Sequence, residues 1–186
     1  MPLLVMIVIA IPKVSDRAGQ AGALNELGLL QRVTGDYPAA AASLTRALEL
    51  YRGLDDRLGQ ASALDNLGRV QFETSEYPAA TASHQQALAL YRHLGHRAGQ
   101  ALALNNVATV QSLTGDYPTA AASYQQALDL FRDLGHRLGQ ALATGNLGIV
   151  QSQTGDYPAT ADTCSATLAT GTARPVPSSI WARCNG

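Results

Sequence analysis

The chain has 186 residues, and its 13 lysines and arginines nearly balance 14 aspartates and glutamates, so the formal net charge is −1. Binding to nucleic acid and attachment to an anionic membrane surface both require clustered positive charge, and this composition argues against both kinds of partner. Apolar residues make up 46% of the chain, which is enough for a buried core. Cys164 and Cys184 lack metal-site or redox-motif spacing, which favours reduced cysteines in a cytoplasmic protein.

The first predicted element is an apolar segment within residues 1–15. Residues 3–11 read LLVMIVIAI and are followed by Pro12. A membrane-spanning helix needs about 20 apolar residues, and a signal peptide needs a basic start and a cleavage site. We therefore expect this segment to cover the neighbouring helices. A wrongly chosen start codon or a truncated parent gene is the alternative.

The rest of the chain is dominated by an internal repeat. Residues 57–96 align on residues 97–136 with 24 identities in 40 positions and no gap. The pair Gly-Gln recurs at residues 19–20, 59–60, 99–100 and 139–140, and the pair Tyr-Pro at residues 37–38, 77–78, 117–118 and 157–158. A constant period in this range is typical of solenoid and repeat proteins.

Each repeat is predicted to form two antiparallel helices. In the second repeat, apolar residues at spacings of three and four predict a first helix near Asp56 to Thr74 and a second near Tyr77 to His93. Three copies of Thr-Gly-Asp-Tyr-Pro separate such helices. In this motif, glycine suits a left-handed C′ position, aspartate an N-cap, and proline the first helical turn.

Small residues at fixed positions, such as Gly68, Ala80 and Ala87, allow close helix packing. The sequence therefore predicts an all-α fold of four tandem helix pairs whose stacking supplies the core. The fourth pair is degenerate because Thr160 and Thr167 replace small residues. The predicted segments are an N-terminal segment at 1–15, repeats at 16–55, 56–95, 96–135 and 136–170, and an irregular tail at 171–186.

The pattern Leu64, Leu67-Gly68, Tyr77, Ala80 and Ala87 resembles the tetratricopeptide repeat (TPR) in its extended form. The likeness extends to TPR arrays of actinobacterial multidomain regulators. It implies a right-handed α-solenoid, a bacterial protein-interaction scaffold, and a concave groove that binds protein or peptide segments. The chain departs from the family at two positions. At the first position the family has tryptophan, and this chain has Leu24, Leu64, Leu104 and Thr144 in its four repeats. At the second the family has tyrosine, and this chain has Gln31, Gln71, Gln111 and Gln151.

Residue patterns for catalysis, metals and cofactors are weak. His93, His96 and His136 lack acids or cysteines spaced to complete a zinc site, so we predict solvated loop histidines. His84 occupies a packing position and is expected at the edge of the core. The recurring serines have no recurring histidine and acid nearby, and a single lysine excludes a P-loop. We therefore expect no enzyme activity, no cofactor and no metal.

A row of amides marks the candidate binding face. Asn66, Asn106 and Asn146 share one repeat position, on the side predicted to lie away from the packing residues. In the proteins that the chain resembles, asparagines on this side hold the backbone of a bound peptide. The neighbours predicted to tune selectivity are Asp65, Arg69, Phe72, Asn105, Thr109 and Ser112. The alternative is a solvated helix face.

Two functions follow from the resemblance. The first is a scaffold that binds an internal peptide segment in its concave groove, since paired cations for a terminal carboxylate are absent. The second is a regulatory TPR arm, a fragment of a larger bacterial signalling or transcriptional regulator. The degenerate fourth repeat also predicts an apolar edge near residues 147–168, and hence self-association of the chain.

Overall fold

The computed structural model describes residues 16–154, and these residues form seven α-helices. The helices are α1 (Arg17–Val33), α2 (Tyr37–Gly53), α3 (Arg57–Glu73), α4 (Tyr77–His93), α5 (Arg97–Leu113), α6 (Tyr117–Asp133) and α7 (Arg137–Thr154). The all-α fold of tandem helix pairs is thereby confirmed for three complete pairs and the first helix of the fourth. The predictions for the N-terminal segment, for the second helix of the fourth pair, for the tail and for both cysteines lie outside the described residues.

The chain divides into two compact units, Met1–His96 and Arg97–Gly186. In the first unit α1 packs on α2, α3 on α4, and α2 on α3, while the first helices α1 and α3 also touch. In the second unit α6 packs on both α5 and α7, and α5 touches α7. In each unit, therefore, the first helices of successive pairs lie side by side.

Small residues allow the close packing in both units. Ala40 and Leu44 of α2 form a buried cluster with Val70 of α3 in the first unit. In the second unit the buried cluster consists of Ala108, Ala120, Tyr124, Leu147 and Val150. These clusters join a second helix to the first helix of the following pair, so each pair completes the core of its neighbour.

The helix ends follow the predicted capping chemistry. Asp36 and Asp116 are N-caps whose carboxylates accept hydrogen bonds from the backbone N–H groups of Ala39 and Thr119, at 3.2 and 3.4 Å. Gly35 and Gly115 precede them in left-handed conformations with φ of 82° and 86°. The second pair differs, because Ser75 holds φ 65° and Glu76 makes no side-chain capping bond. A side chain is forced there into a conformation that favours glycine.

We expect Ser75→Gly to stabilise the protein by about 1 kcal/mol, because glycine removes the steric cost of the left-handed conformation. The reciprocal change, Gly115→Ser, places a side chain at the equivalent residue of the next repeat and should cost a similar amount. Thermal unfolding followed by circular dichroism measures both. Unchanged melting temperatures in the two variants would show that these turns carry no such strain.

Candidate functional site

The asparagine row begins in the first unit, on adjacent first helices. Asn66 of α3 donates a hydrogen bond from Nδ2 to Oδ1 of Asn25 on α1, over 3.2 Å. Both residues are buried, Asn66 with 8% of its surface exposed and Asn25 with 6%. This burial differs from the expected open face, because the neighbouring first helix approaches closely enough to cover the amide. Asn66 therefore contributes to the contact between two repeats.

Asp65, predicted as a groove residue, makes a buried hydrogen bond with His84. Its Oδ1 is 2.8 Å from Nδ1 of His84 on α4, and the residues are 9% and 1% exposed, respectively. The prediction that His84 lies at the edge of the core is wrong. Its ring is buried within the second helix pair and faces the side chain of Asp65. The ring also packs against Gly68, where an added Cβ would lie 2.7 Å from His84 Cε1.

The acid and histidine do not form a catalytic triad with the adjacent Ser83. The Ser83 hydroxyl donates to Oε1 of Gln71 at 2.7 Å. A histidine buried this completely is closed to a substrate from solvent. The geometry therefore supports a structural role for Asp65 and His84 in the second helix pair.

The second unit holds the other predicted groove residues. Asn105, Asn106, Thr109 and Ser112 of α5 and Asn146 of α7 are all partly exposed. The Thr109 hydroxyl donates to the backbone carbonyl of Asn105 at 2.9 Å and accepts from Tyr124 at 3.0 Å. Oδ1 of Asn105 is buried and has no hydrogen-bond partner. It is thus an unsatisfied acceptor within the described part of the chain.

Arg69 and Phe72, the remaining predicted groove residues, lie partly exposed on α3. The ring centroid of Phe72 is 5.9 Å from that of Tyr77, which starts the following helix. Near them, Arg32 of α1 forms an ion pair with Glu73 of α3 at 2.6 Å. The first-helix face of this unit is therefore charged, and an ion pair connects its two helices.

A repeated hydrogen bond links the two helices of each complete pair. Ser43, Ser83 and Ser123 donate to Oε1 of Gln31, Gln71 and Gln111 at 2.8, 2.7 and 3.0 Å, respectively. These glutamines occupy the position where the TPR family has tyrosine. The recurring serines, for which the sequence shows no recurring histidine and acid, are thus donors between packed helices. The identical sequence separation of serine and glutamine in the first three repeats was the available signal.

The recurrent Gly-Gln pair closes the junction between successive helix pairs. Nε2 of Gln60 donates to the backbone carbonyl of Tyr51 at 3.2 Å. Gln140 repeats the bond to the carbonyl of Phe131 at 3.1 Å. The preceding glycine makes room for the aromatic ring, since a Cβ on Gly59 would lie 2.2 Å from Cδ1 of Tyr51. The motif therefore joins successive helix pairs.

Two of the loop histidines, His96 and His136, make specific contacts with neighbouring residues. Nδ1 of His136 accepts the backbone N–H of Gly139 at 2.9 Å, which is the N-cap bond that Asp56 makes to Gly59. Its ring centroid lies 5.4 Å from that of Phe131, and His96 stacks on Tyr91 at 5.3 Å. His96 and His136 are exposed, as expected of solvated loop histidines, and each also makes a specific contact.

Within residues 16–154, no group of three or more histidines, cysteines, aspartates and glutamates is placed to hold a metal ion. None of the helices described for the chain combines the length and the apolar character needed to cross a membrane.

The buried tyrosines are the groups with perturbed ionisation. Burial raises the pKa of Tyr91 to about 12, and the negative charge of Asp65 adds to the increase. Burial likewise raises the pKa of Tyr124, although the hydrogen bond with Thr109 partly offsets the effect. Both hydroxyls therefore remain neutral at physiological pH and take part in packing.

Comparison with known proteins gives a family match over the repeats. A family model described as "Tetratricopeptide repeat" matches residues 19–93 and 99–159. A search of curated proteins gave no match to this sequence.

Solved structures show the same fold at low sequence identity. The crystal structure of BtubC (BKLC) from P. vanneervenii superposes with a TM-score of 0.78 at 19% identity, covering 90% of this chain and 70% of that chain. A Rap protein complexed with Competence and Sporulation Factor gives a TM-score of 0.78 at 16% identity, covering 84% and 44%. A STAND protein with a tetratricopeptide repeat sensor from Pyrococcus horikoshii gives 0.78 at 16%, covering 90% and 26%. The chain thus spans less than half of the latter two proteins.

Proposed function

Because the chain belongs to the tetratricopeptide repeat family, a family of protein-interaction repeats, we propose that its first-helix face binds a peptide segment of a protein partner. The observation that carries the proposal is the recurrence of asparagine at one position of successive first helices, in Asn66, Asn106 and Asn146. An asparagine amide offers a donor and an acceptor together, which is what a peptide N–H and C=O require.

We assign this role unequally along the row. Asn66 is buried and donates to Asn25 between α1 and α3. Asn106 and Asn146 are more exposed than Asn66. We therefore assign most of the backbone recognition to the second unit. The Rap protein solved in complex with Competence and Sporulation Factor supports a protein or peptide ligand by its likeness in fold.

The proposal gives the chain no catalytic step. The buried Asp65 and His84 are closed to substrate, and the serines donate to glutamines within each pair. A cytoplasmic location is part of the proposal, based on the reduced cysteines expected from the sequence.

The test is the substitution of two amides in the row. Asn106→Ala and Asn146→Ala should each weaken binding several-fold, because one lost hydrogen bond costs about 0.5–1.5 kcal/mol. The ligand is first captured from the organism that encodes the chain, and its binding segment is then titrated by calorimetry as a synthetic peptide. Gln126→Ala is the control, since it removes an exposed amide from the second helix α6.

Two results would contradict the proposal. Equal affinities of wild type, Asn106→Ala and Asn146→Ala would leave the row as a solvated helix face. A large drop in melting temperature without a change in affinity would make these asparagines structural.

The second candidate is a regulatory arm of a larger bacterial signalling or transcriptional regulator. The observation that favours it is that this chain covers only 26% of the length of the STAND protein and 44% of that of the Rap protein. An adjacent reading frame that encodes a nucleotide-binding or DNA-binding domain would support this candidate. A self-standing gene would support the adaptor.

A further inference from the structure

The first-helix face of the second unit carries a row of exposed aliphatic side chains. Leu102 and Leu113 of α5 are 50% and 58% exposed, and Leu142 and Ile149 of α7 are both 49% exposed. Residues spaced by three, four, seven and eleven lie on one side of a helix, which places Leu102 and Leu113 with Asn106 and Thr109. Leu142 and Ile149 lie with Asn146 on α7 in the same way. We call these four aliphatic residues the aliphatic row.

The same face of the first unit has a different chemistry. At the positions equivalent to Leu102 and Leu142 the first unit has Gly22 and Ser62. Its first helices instead carry ionisable side chains, which are Glu26, Arg32, Asp65, Arg69 and Glu73. The equivalent positions of the second unit hold no ionisable side chain, since they are Asn105, Asn106, Thr109, Ser112, Leu113, Gly145, Asn146, Ile149, Ser152 and Gln153. The repeat is thus preserved while the charge is lost.

Two properties of this face indicate what it binds. Half-exposed leucines and isoleucine on one side of adjacent helices gain free energy when an apolar side chain covers them, at about 25 cal/mol per Å² buried. A charged side chain would lose its hydration there without an opposite charge to pair with. The face therefore selects aliphatic side chains and rejects charged ones.

A second, independent observation is the unsatisfied amide within the face. Oδ1 of Asn105 is buried without a hydrogen-bond partner, whereas its equivalents have one, from His84 for Asp65 and from Asn66 for Asn25. A buried acceptor left unpaired costs about 1–3 kcal/mol, and a peptide N–H would remove that cost. The acceptor lies one residue before Asn106, among the amides assigned to the peptide backbone.

We infer that the second unit binds an uncharged peptide segment whose aliphatic side chains, of leucine, isoleucine or valine, cover the aliphatic row. This inference rests on the proposed function, and adds the chemical class of the segment. Asn105 accepts a backbone N–H of that segment once its partly exposed side chain turns toward the peptide. Binding is therefore driven by apolar burial and backbone hydrogen bonds, with little dependence on salt concentration.

The experiment uses the full chain and a displayed library of random peptides as the probe. We expect the selected peptides to be enriched in leucine, isoleucine and valine and depleted of charged residues. The double variant Leu102→Ser with Leu142→Ser copies Ser62 of the second repeat, so it is compatible with a TPR first helix. It should weaken binding of the selected peptides about tenfold or more. Leu58→Ser, at a leucine of the first unit that is 46% exposed, is the control and should bind like wild type.

Asn105→Ala supplies a second readout in the same experiment. It should weaken binding several-fold without lowering the melting temperature, because it removes a buried acceptor that has no partner in the free protein. A drop in melting temperature with unchanged affinity would overturn the role given to Asn105.

The outcomes separate this inference from the proposed function. Charged peptides whose binding requires Arg69 and Asn66 but not the aliphatic row would overturn the inference and leave the proposed function standing. Aliphatic peptides that bind equally well to the double variant would also overturn it. A library that yields no peptide dependent on either first-helix face would contradict both.

Discussion

Gly59→Ala is expected to destabilise the protein by about 2 kcal/mol, because the added methyl group overpacks a buried contact. The new Cβ would lie 2.2 Å from Cδ1 and 2.3 Å from Cε1 of Tyr51. Tyr51 is 9% exposed and lies near the end of the preceding helix, α2. Such overpacking costs about 1–3 kcal/mol, and the gain in helix propensity from alanine returns about 0.5–1 kcal/mol. The steric cost therefore dominates.

Thermal unfolding of matched variants tests this prediction. Gly145→Ala is the control, because its Cβ would meet nothing within 4 Å in the middle of α7, and it should stabilise by about 0.5–1 kcal/mol. Combining Gly59→Ala with Tyr51→Leu should remove most of the penalty, since the ring is the group that clashes. A Gly59→Ala variant as stable as wild type would mean that Tyr51 moves aside at no cost.

The contact between Gly59 and Tyr51 illustrates which features the sequence alone could predict and which it could not. The repeat period, the apolar spacing and the capping residues predict helices near 56–74 and 77–93, and the structure has them at Arg57–Glu73 and Tyr77–His93. These features are local, so a single sequence contains them. The recurrence of Gly-Gln was equally visible, but its reason was hidden. The glycine faces a ring eight residues earlier and the glutamine a carbonyl nine residues earlier, across a turn.

The candidate site was less accessible to sequence reasoning. Asn66 was expected on an open face, yet it contacts Asn25, 41 residues earlier. How closely two first helices approach depends on side chains at several positions and not on the pattern of one helix. His84 was expected at the core edge for the same reason. Its partner Asp65 lies on another helix, 19 residues away, where neither neighbouring repeat has the same pair of residues.

His84→Leu is the second large expected effect, with a loss of about 2 kcal/mol. The substitution takes from Asp65 a buried hydrogen-bond partner at 2.8 Å, and a hydrogen bond to a charged group contributes about 1.5–3 kcal/mol. The side chain of Asp65 keeps 13% exposure, and the remaining water contact reduces the cost toward the lower end of that range. Thermal unfolding measures the loss.

The first repeat supplies the compensating change. It has Asn25 and Leu44 at the positions of Asp65 and His84, and Leu44 packs on Gly28 as His84 packs on Gly68. The double variant Asp65→Asn with His84→Leu therefore reproduces a combination that this chain already uses. We expect it to recover stability to within about 1 kcal/mol of wild type, so that the double variant loses less than the two single variants together and the two positions are coupled.

Tyr91 provides a readout of the charge itself. Since Asp65 contributes to raising the pKa of Tyr91 to about 12, Asp65→Asn should lower that pKa and move the appearance of tyrosinate absorbance to lower pH. The wild-type folded state binds more protons than the unfolded chain between pH 10 and about 12, so stability falls as pH rises through that window. Asp65→Asn should narrow the pH range over which the stability falls.

The double variant also shows what would contradict the His84 prediction. If His84→Leu were equally costly with and without Asp65→Asn, the carboxylate would not be coupled to the ring. The loss would then come from packing against Gly68 alone.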